Sequence, residues 1–142
     1  MLFRSRGHNA YIDTMSLSSY RFYVLVRDNN GDSAGFATVN NSYASGEWVN
    51  GTLVWDGSVK TIYSYLNGEL QGSTTNTLVD NIFEYTGDPI PFRIGSTSVP
   101  NYQYGALPLS GDIASVKVYD NVALSEKQIK NNYNATKGRF GL

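Results

Sequence analysis

Cysteine is absent from the 142-residue chain, and histidine occurs once, at His8. Without thiols there is no disulfide framework, thiolate zinc site, iron–sulfur cluster or cysteine nucleophile. A single imidazole excludes a histidine-built metal cluster within one chain. Charge is sparse and balanced: 11 Lys and Arg against 12 Asp and Glu give a formal net charge of −1. That balance supplies no electrostatic footprint for nucleic acid. No run approaches the ~20 apolar residues of a membrane span. The opening residues, Met1-Leu2-Phe3-Arg4-Ser5-Arg6, hold no apolar core of signal-peptide length. P-loop, Gly-x-Gly-x-x-Gly and HExxH patterns are also missing.

What is present is the palette of a β-rich protein with many turns. There are 14 glycines and 11 tyrosines, and the dominant apolar period is two. Residues 20–27 are rich in β-branched and aromatic types and read as a strand. The Asn30-Gly31 dipeptide turns the chain towards a return strand at 35–39. Residues 48–55 are a third apolar run, and Asp56-Gly57-Ser58 is a tight turn. Residues 59–66 form a fourth strand, with Tyr63 and Tyr65 on one face and Ile62 and Leu66 on the other. Asn67-Gly68 turns it back into 69–71. Residues 72–91 read as polar and irregular, apart from a short element at 77–83. Residues 92–95 read as a short strand, 97–108 as a loop rich in Tyr, Asn and Pro, and 112–119 as the last strand.

One segment is helical. Ser125 and Gln128 have capping-box spacing, with Leu124 as the staple residue before the cap. Leu124, Ile129 and Tyr133 form its apolar stripe, and Gly138 is the expected end. Many short strands separated by turns, with one peripheral helix, predict an antiparallel two-sheet sandwich in a single domain.

Several spaced motifs carry a resemblance. They are Gly46-Glu47-Trp48-Val49, Asp56-Gly57-Ser58, Ile62-Tyr63-Ser64-Tyr65-Leu66-Asn67-Gly68-Glu69-Leu70 and Phe92-Arg93-Ile94-Gly95. Gly111-Asp112-Ile113, Val118-Tyr119-Asp120 and Ala123-Leu124-Ser125-Glu126-Lys127-Gln128-Ile129 complete the set. In this order they resemble the laminin-G-like branch of the concanavalin A-like lectin/glucanase superfamily. The tail at 132–142 is similar to versions encoded by bacteriophages and marine viruses.

The resemblance implies an all-β, two-sheet antiparallel jelly-roll sandwich with one short C-terminal helix, spanning residues 1–142. Trp48 then matches the family's buried tryptophan. The family's domains begin earlier than Met1, so the first strands are expected to be missing. The open edge left behind would favour self-association. An extracellular or virion-associated protein is expected, with no membrane or nucleic-acid partner.

Glycoside hydrolases on this fold carry clustered carboxylates on one strand, because the chemistry needs two carboxyl groups about 5–9.5 Å apart. Glu47, Glu69, Glu84 and Glu126 form no such cluster. His8 beside Tyr11 and Asp13 is the only lyase-like grouping, and a lone terminal histidine is ordinarily a surface residue. A non-enzyme is therefore expected.

Asp28, Asn30 and Asp32 place oxygen ligands at alternate positions, as the start of a calcium loop does. The later bidentate Glu is absent, and the same residues suit a hairpin turn. No cofactor is required, and calcium is an option. Tyr102 and Tyr104, with Asn101 beside them, can present flat rings and amides to a sugar, or pack across the sheet end. Trp55 is the third sugar-platform residue. Lys127, Lys130, Lys137 and Arg139 make a basic end, read as a solvated helix face. The expected function is non-catalytic binding of a glycan or polysaccharide. The alternatives are an assembly module of a virion or surface protein and, behind it, a polysaccharide-cleaving enzyme.

Overall fold

The computed structural model describes residues 10–13, 22–27, 33–39, 42–44, 46–76, 96–97, 107–108 and 111–142. Tyr23–Arg27 (β2) is a run of β-branched and aromatic residues and pairs antiparallel with both neighbours. These are β1 (Ala10–Asp13) and β3 (Ser33–Ala37). A second antiparallel sheet has the order β4 (Gly51–Asp56), β5 (Thr61–Leu66), β6 (Glu69–Thr75). Two short strands, β7 (Ser96–Thr97) and β8 (Leu107–Pro108), pair with each other. The helix α1 (Glu126–Thr136) runs into a 3-10 turn at Lys137–Phe140.

The two three-stranded sheets pack face to face. Phe22, Val24, Val26 and Ala34 from one bury against Ile62 and Leu66 from the other. Full burial of such aliphatic side chains is worth roughly 1.5–3 kcal/mol each. Two aromatic–glycine contacts set the spacing. A Cβ on Gly51 would stand 2.5 Å from the Phe22 ring, and a Cβ on Gly72 would overlap the Phe36 ring. Only glycine lets the second sheet come this close to the rings. The outer face of that sheet carries Val54 and Tyr65, which α1 covers through Ile129. The split of Tyr63 and Tyr65 from Ile62 and Leu66 across β5 is as the alternation predicts.

The β5–β6 hairpin closes on Asn67 and Gly68, with φ of 52° and 77°. Positive φ at both positions is what the Asn-Gly pair supplies at least cost. In the β4–β5 turn the left-handed position is instead Lys60, at φ 50°. The capping box is formed: Gln128 N–H donates to Ser125 Oγ at 3.4 Å, and Ser125 N–H donates to Gln128 Oε1 at 2.8 Å. Leu124 packs on the cluster that holds Ile129.

Four expectations differ from the structure. β6 continues to Thr75 through the stretch read as irregular. It is held there by a 2.7 Å hydroxyl contact between Thr61 and Thr75 and accommodates Gln71 as a bulge near Gly72. Residues 112–119 form no strand. Their apolar side chains fall on both faces of a two-residue alternation, and only Ile113 and Val116 are half-buried. No strand among the described residues offers them a ladder. The helix ends at Thr136, not Gly138, and the left-handed closing glycine is Gly141, at φ 70°. Thr136 Oγ1 donates back to the Asn132 and Tyr133 carbonyls as the last turn tightens. Lastly, Trp48 is not in the core. It is 39% exposed and lies before β4 begins.

Candidate functional site

The loop carrying Asn101, Tyr102 and Tyr104 lies outside the described residues. So do Asp28, Asn30 and Asp32, as well as His8 and Glu84. Of the expected sugar-platform residues, Trp55 is described. It is half-buried on β4, opposite Ile62, and packs against the core between the sheets.

The remaining glutamates have structural partners or positions. Glu47 Oε2 accepts the Ala44 N–H at 2.9 Å and closes a turn. Glu69 is ion-paired with Lys130. Glu126 occupies the first turn of α1, where the helix dipole favours a carboxylate. Glu69, Glu126, Lys127, Lys130 and Asn131 line a shallow depression where the β5–β6 hairpin meets α1. Among the described residues, no three His, Cys, Asp or Glu side chains gather to hold a metal ion. Asp56 Oδ1 accepts from Ser58 Oγ at 2.6 Å and from Ser58 N–H at 3.0 Å. Those bonds, the hydroxyl first, hold the Asp56 carboxyl below its ordinary value. Burial, reinforced by the charge of Glu126 and by Tyr63, pushes the Tyr65 phenol up.

The exposed aromatic surface is elsewhere. The Trp48 ring lies 5.5 Å from the Phe140 ring, tilted by 42°. Arg139 stands 5.8 Å over Phe140. Two turns back, Lys137 and Lys130 flank the Tyr133 ring at 5.6 and 5.9 Å. In a 3-10 turn, residues three apart eclipse one another. Lys137 and Phe140 therefore share a face, and the side chains form one row: Lys130, Tyr133, Lys137, Phe140, Trp48. Asn132 Nδ2 donates to the Tyr119 hydroxyl at 3.1 Å and ties the preceding segment to the helix.

Sequence reasoning missed this surface for two reasons. The family pattern assigned Trp48 to the core, and Phe140 lies past the expected helix end. The available signal was four cations and no acid in residues 127–142, interleaved with Tyr133 and Phe140.

A family model, Laminin_G_3 of the concanavalin A-like lectin/glucanases superfamily, matches residues 1–130. The chain belongs to this superfamily. Comparison with curated proteins and with solved structures gave no match. The sheets described above accord with a concanavalin A-like domain, and the superfamily covers both lectins and glucanases. Tyr133, Lys137, Arg139 and Phe140 lie beyond the matched residues. No helix among the described residues is long and apolar enough to cross a membrane.

Proposed function

We propose that this concanavalin A-like domain is a non-catalytic carbohydrate-binding module. The observation that carries the reading is the exposed Trp48 ring set against Phe140. A large ring left in water beside a second ring is costly to solvate and presents a flat apolar face. Sugars offer C–H faces to such rings and hydroxyls to the polar groups around them. Membership of a superfamily of lectins and glucanases supports the same reading. The carboxylates support binding over cleavage, because Glu47 and Glu69 are engaged in a turn and an ion pair. Tyr102, Tyr104 and Asn101 remain a second proposed contact loop, Trp55 a further platform, and Asp28, Asn30 and Asp32 a proposed calcium loop.

A glycan array run in calcium and again in chelator tests the proposal. Selective binding that is lost in Trp48→Ala is the expected result. Loss in Tyr102→Ala and Tyr104→Ala would bring that loop into the site, and chelator sensitivity would assign a role to calcium. No binding in either buffer at high protein concentration would overturn the carbohydrate reading and leave an assembly module as the better account.

A further inference from the structure

Lys130, Tyr133 and Lys137 alternate cation and ring along one face and lead to the Phe140–Trp48 ring pair, with Arg139 beside Phe140. From this row we infer that the ligand is an acidic polysaccharide, whose carboxylate or sulfate groups are held by Lys137 and Arg139 while its sugar rings lie on Trp48 and Phe140. The inference rests on the carbohydrate reading and names the ligand class of the same surface.

Three observations carry it. The first is charge. Residues 127–142 contain Lys127, Lys130, Lys137 and Arg139 and no acid, in a chain whose net charge is −1. Glu69 and Glu126 share a depression with Lys127 and Lys130, so the cations that remain to face an anionic ligand are Lys137 and Arg139, further along the chain. A duplex or a long nucleic acid would call for a basic balance over the whole domain.

The second is pairing. Lys130 is committed to Glu69. Neither Lys137 nor Arg139 has a carboxylate partner among the described residues, and Arg139 is exposed. Their charged ends are held over the Tyr133 and Phe140 rings. A guanidinium beside a ring is pre-placed to take a carboxylate or sulfate side-on with two parallel hydrogen bonds. Little side-chain freedom is then left to lose on binding.

The third is spacing. The 3-10 turn puts Lys137 and Phe140 on one face, and Phe140 meets Trp48. A linear polymer lying along the row meets a cation, then a ring pair. That order suits a chain that carries both an acidic group and an apolar ring face in each unit. A neutral glycan would use the rings and leave the cations idle. An acidic peptide would use the cations and leave the rings idle.

The test is calorimetric titration of the full chain with polygalacturonate, dextran sulfate, neutral dextran and polyglutamate. Trp48→Ala, Lys137→Gln and Arg139→Gln are compared with the parent chain. Binding of polygalacturonate or dextran sulfate, absent for neutral dextran and polyglutamate, is expected, and whichever of the two is bound more tightly identifies the acidic group. Each Gln variant should weaken binding about tenfold, the worth of one charge-assisted hydrogen bond. Raising salt from ~0.1 M to ~1 M should weaken binding further, because the screening length falls from about 10 Å to 3 Å. Circular dichroism spectra of both Gln variants should match the parent, since Arg139 is exposed and Lys137 is only half-buried.

Binding of neutral dextran with no gain from the acidic polymers overturns this inference and leaves the carbohydrate reading standing. Equal binding of polyglutamate means that charge alone is read, and it overturns the inference. Full-strength binding of acidic polymers by both Gln variants overturns the assignment to Lys137 and Arg139. No polysaccharide binding, with the glycan array also blank, overturns the carbohydrate reading itself.

Discussion

Gly68 and Tyr133 are in contact: a Cβ on Gly68 would stand 3.0 Å from both Cβ and Cδ1 of Tyr133. The same glycine holds φ at +77° in the β5–β6 hairpin. One residue therefore satisfies a turn and seats the helix that carries the aromatic–cationic row. Gly68→Ala should cost about 1–3 kcal/mol, combining left-handed strain with displacement of the Tyr133 ring. Urea denaturation reads this directly. A loss below a few tenths of a kcal/mol would mean that α1 is not seated on the hairpin.

The sheet spacing has its own test. Gly72→Ala places a methyl group into the Phe36 ring. Overpacking of this kind costs about 1–3 kcal/mol. Phe36→Leu in the same chain should recover part of that loss, as a coupled pair does. Additive effects in the double-mutant cycle would show that the two sheets do not meet at this point.

Ser64 is fully buried at the centre of β5, and its hydroxyl has no hydrogen-bond partner among the described residues. An unsatisfied buried hydroxyl costs about 1–3 kcal/mol. Ser64→Ala should thus leave stability unchanged or raise it by about 1 kcal/mol, where most core substitutions lower it. A clear loss in chemical denaturation would reveal a partner for the hydroxyl.

Much of this architecture is legible in the sequence. Asn67-Gly68 and the alternation of Ile62, Tyr63, Tyr65 and Leu66 locate a hairpin and its two faces, because turn chemistry and period-two burial are local properties. Ser125 and Gln128 fix the start of α1 for the same reason. Trp48 defeats this reasoning. Its burial depends on whether a neighbour covers it, and the neighbour it has, Phe140, is 92 positions away and covers it only partly. The segment at 112–119 defeats it differently: a strand-like composition needs a free sheet edge, and composition carries no record of one. The second core cluster, joining Val54 and Tyr65 to Ile129, is likewise set by where the helix docks.

Asp56 gives a pH signature. Its carboxyl is held below the ordinary value first by the Ser58 hydroxyl and then by the Ser58 N–H. A depressed folded-state pKa contributes stability above the unfolded value, and that contribution is lost as pH falls through the folded value. An NMR titration should find Asp56 ionising below its ordinary value of 3.8. In Ser58→Ala it should move upward, towards that value. An unchanged midpoint in the variant would remove the hydroxyl as the main cause.

The fluorescence of Trp48 during titration with polygalacturonate reports directly on a sugar ring at this surface. Trp55→Phe leaves Trp48 as the sole tryptophan, since the chain has two. A sugar ring settling on an exposed indole removes water from it. A blue shift on saturation is expected, with protection from acrylamide quenching, both absent with neutral dextran. Saturable binding by calorimetry with no change in Trp48 emission or quenching would place the ligand elsewhere and contradict the account.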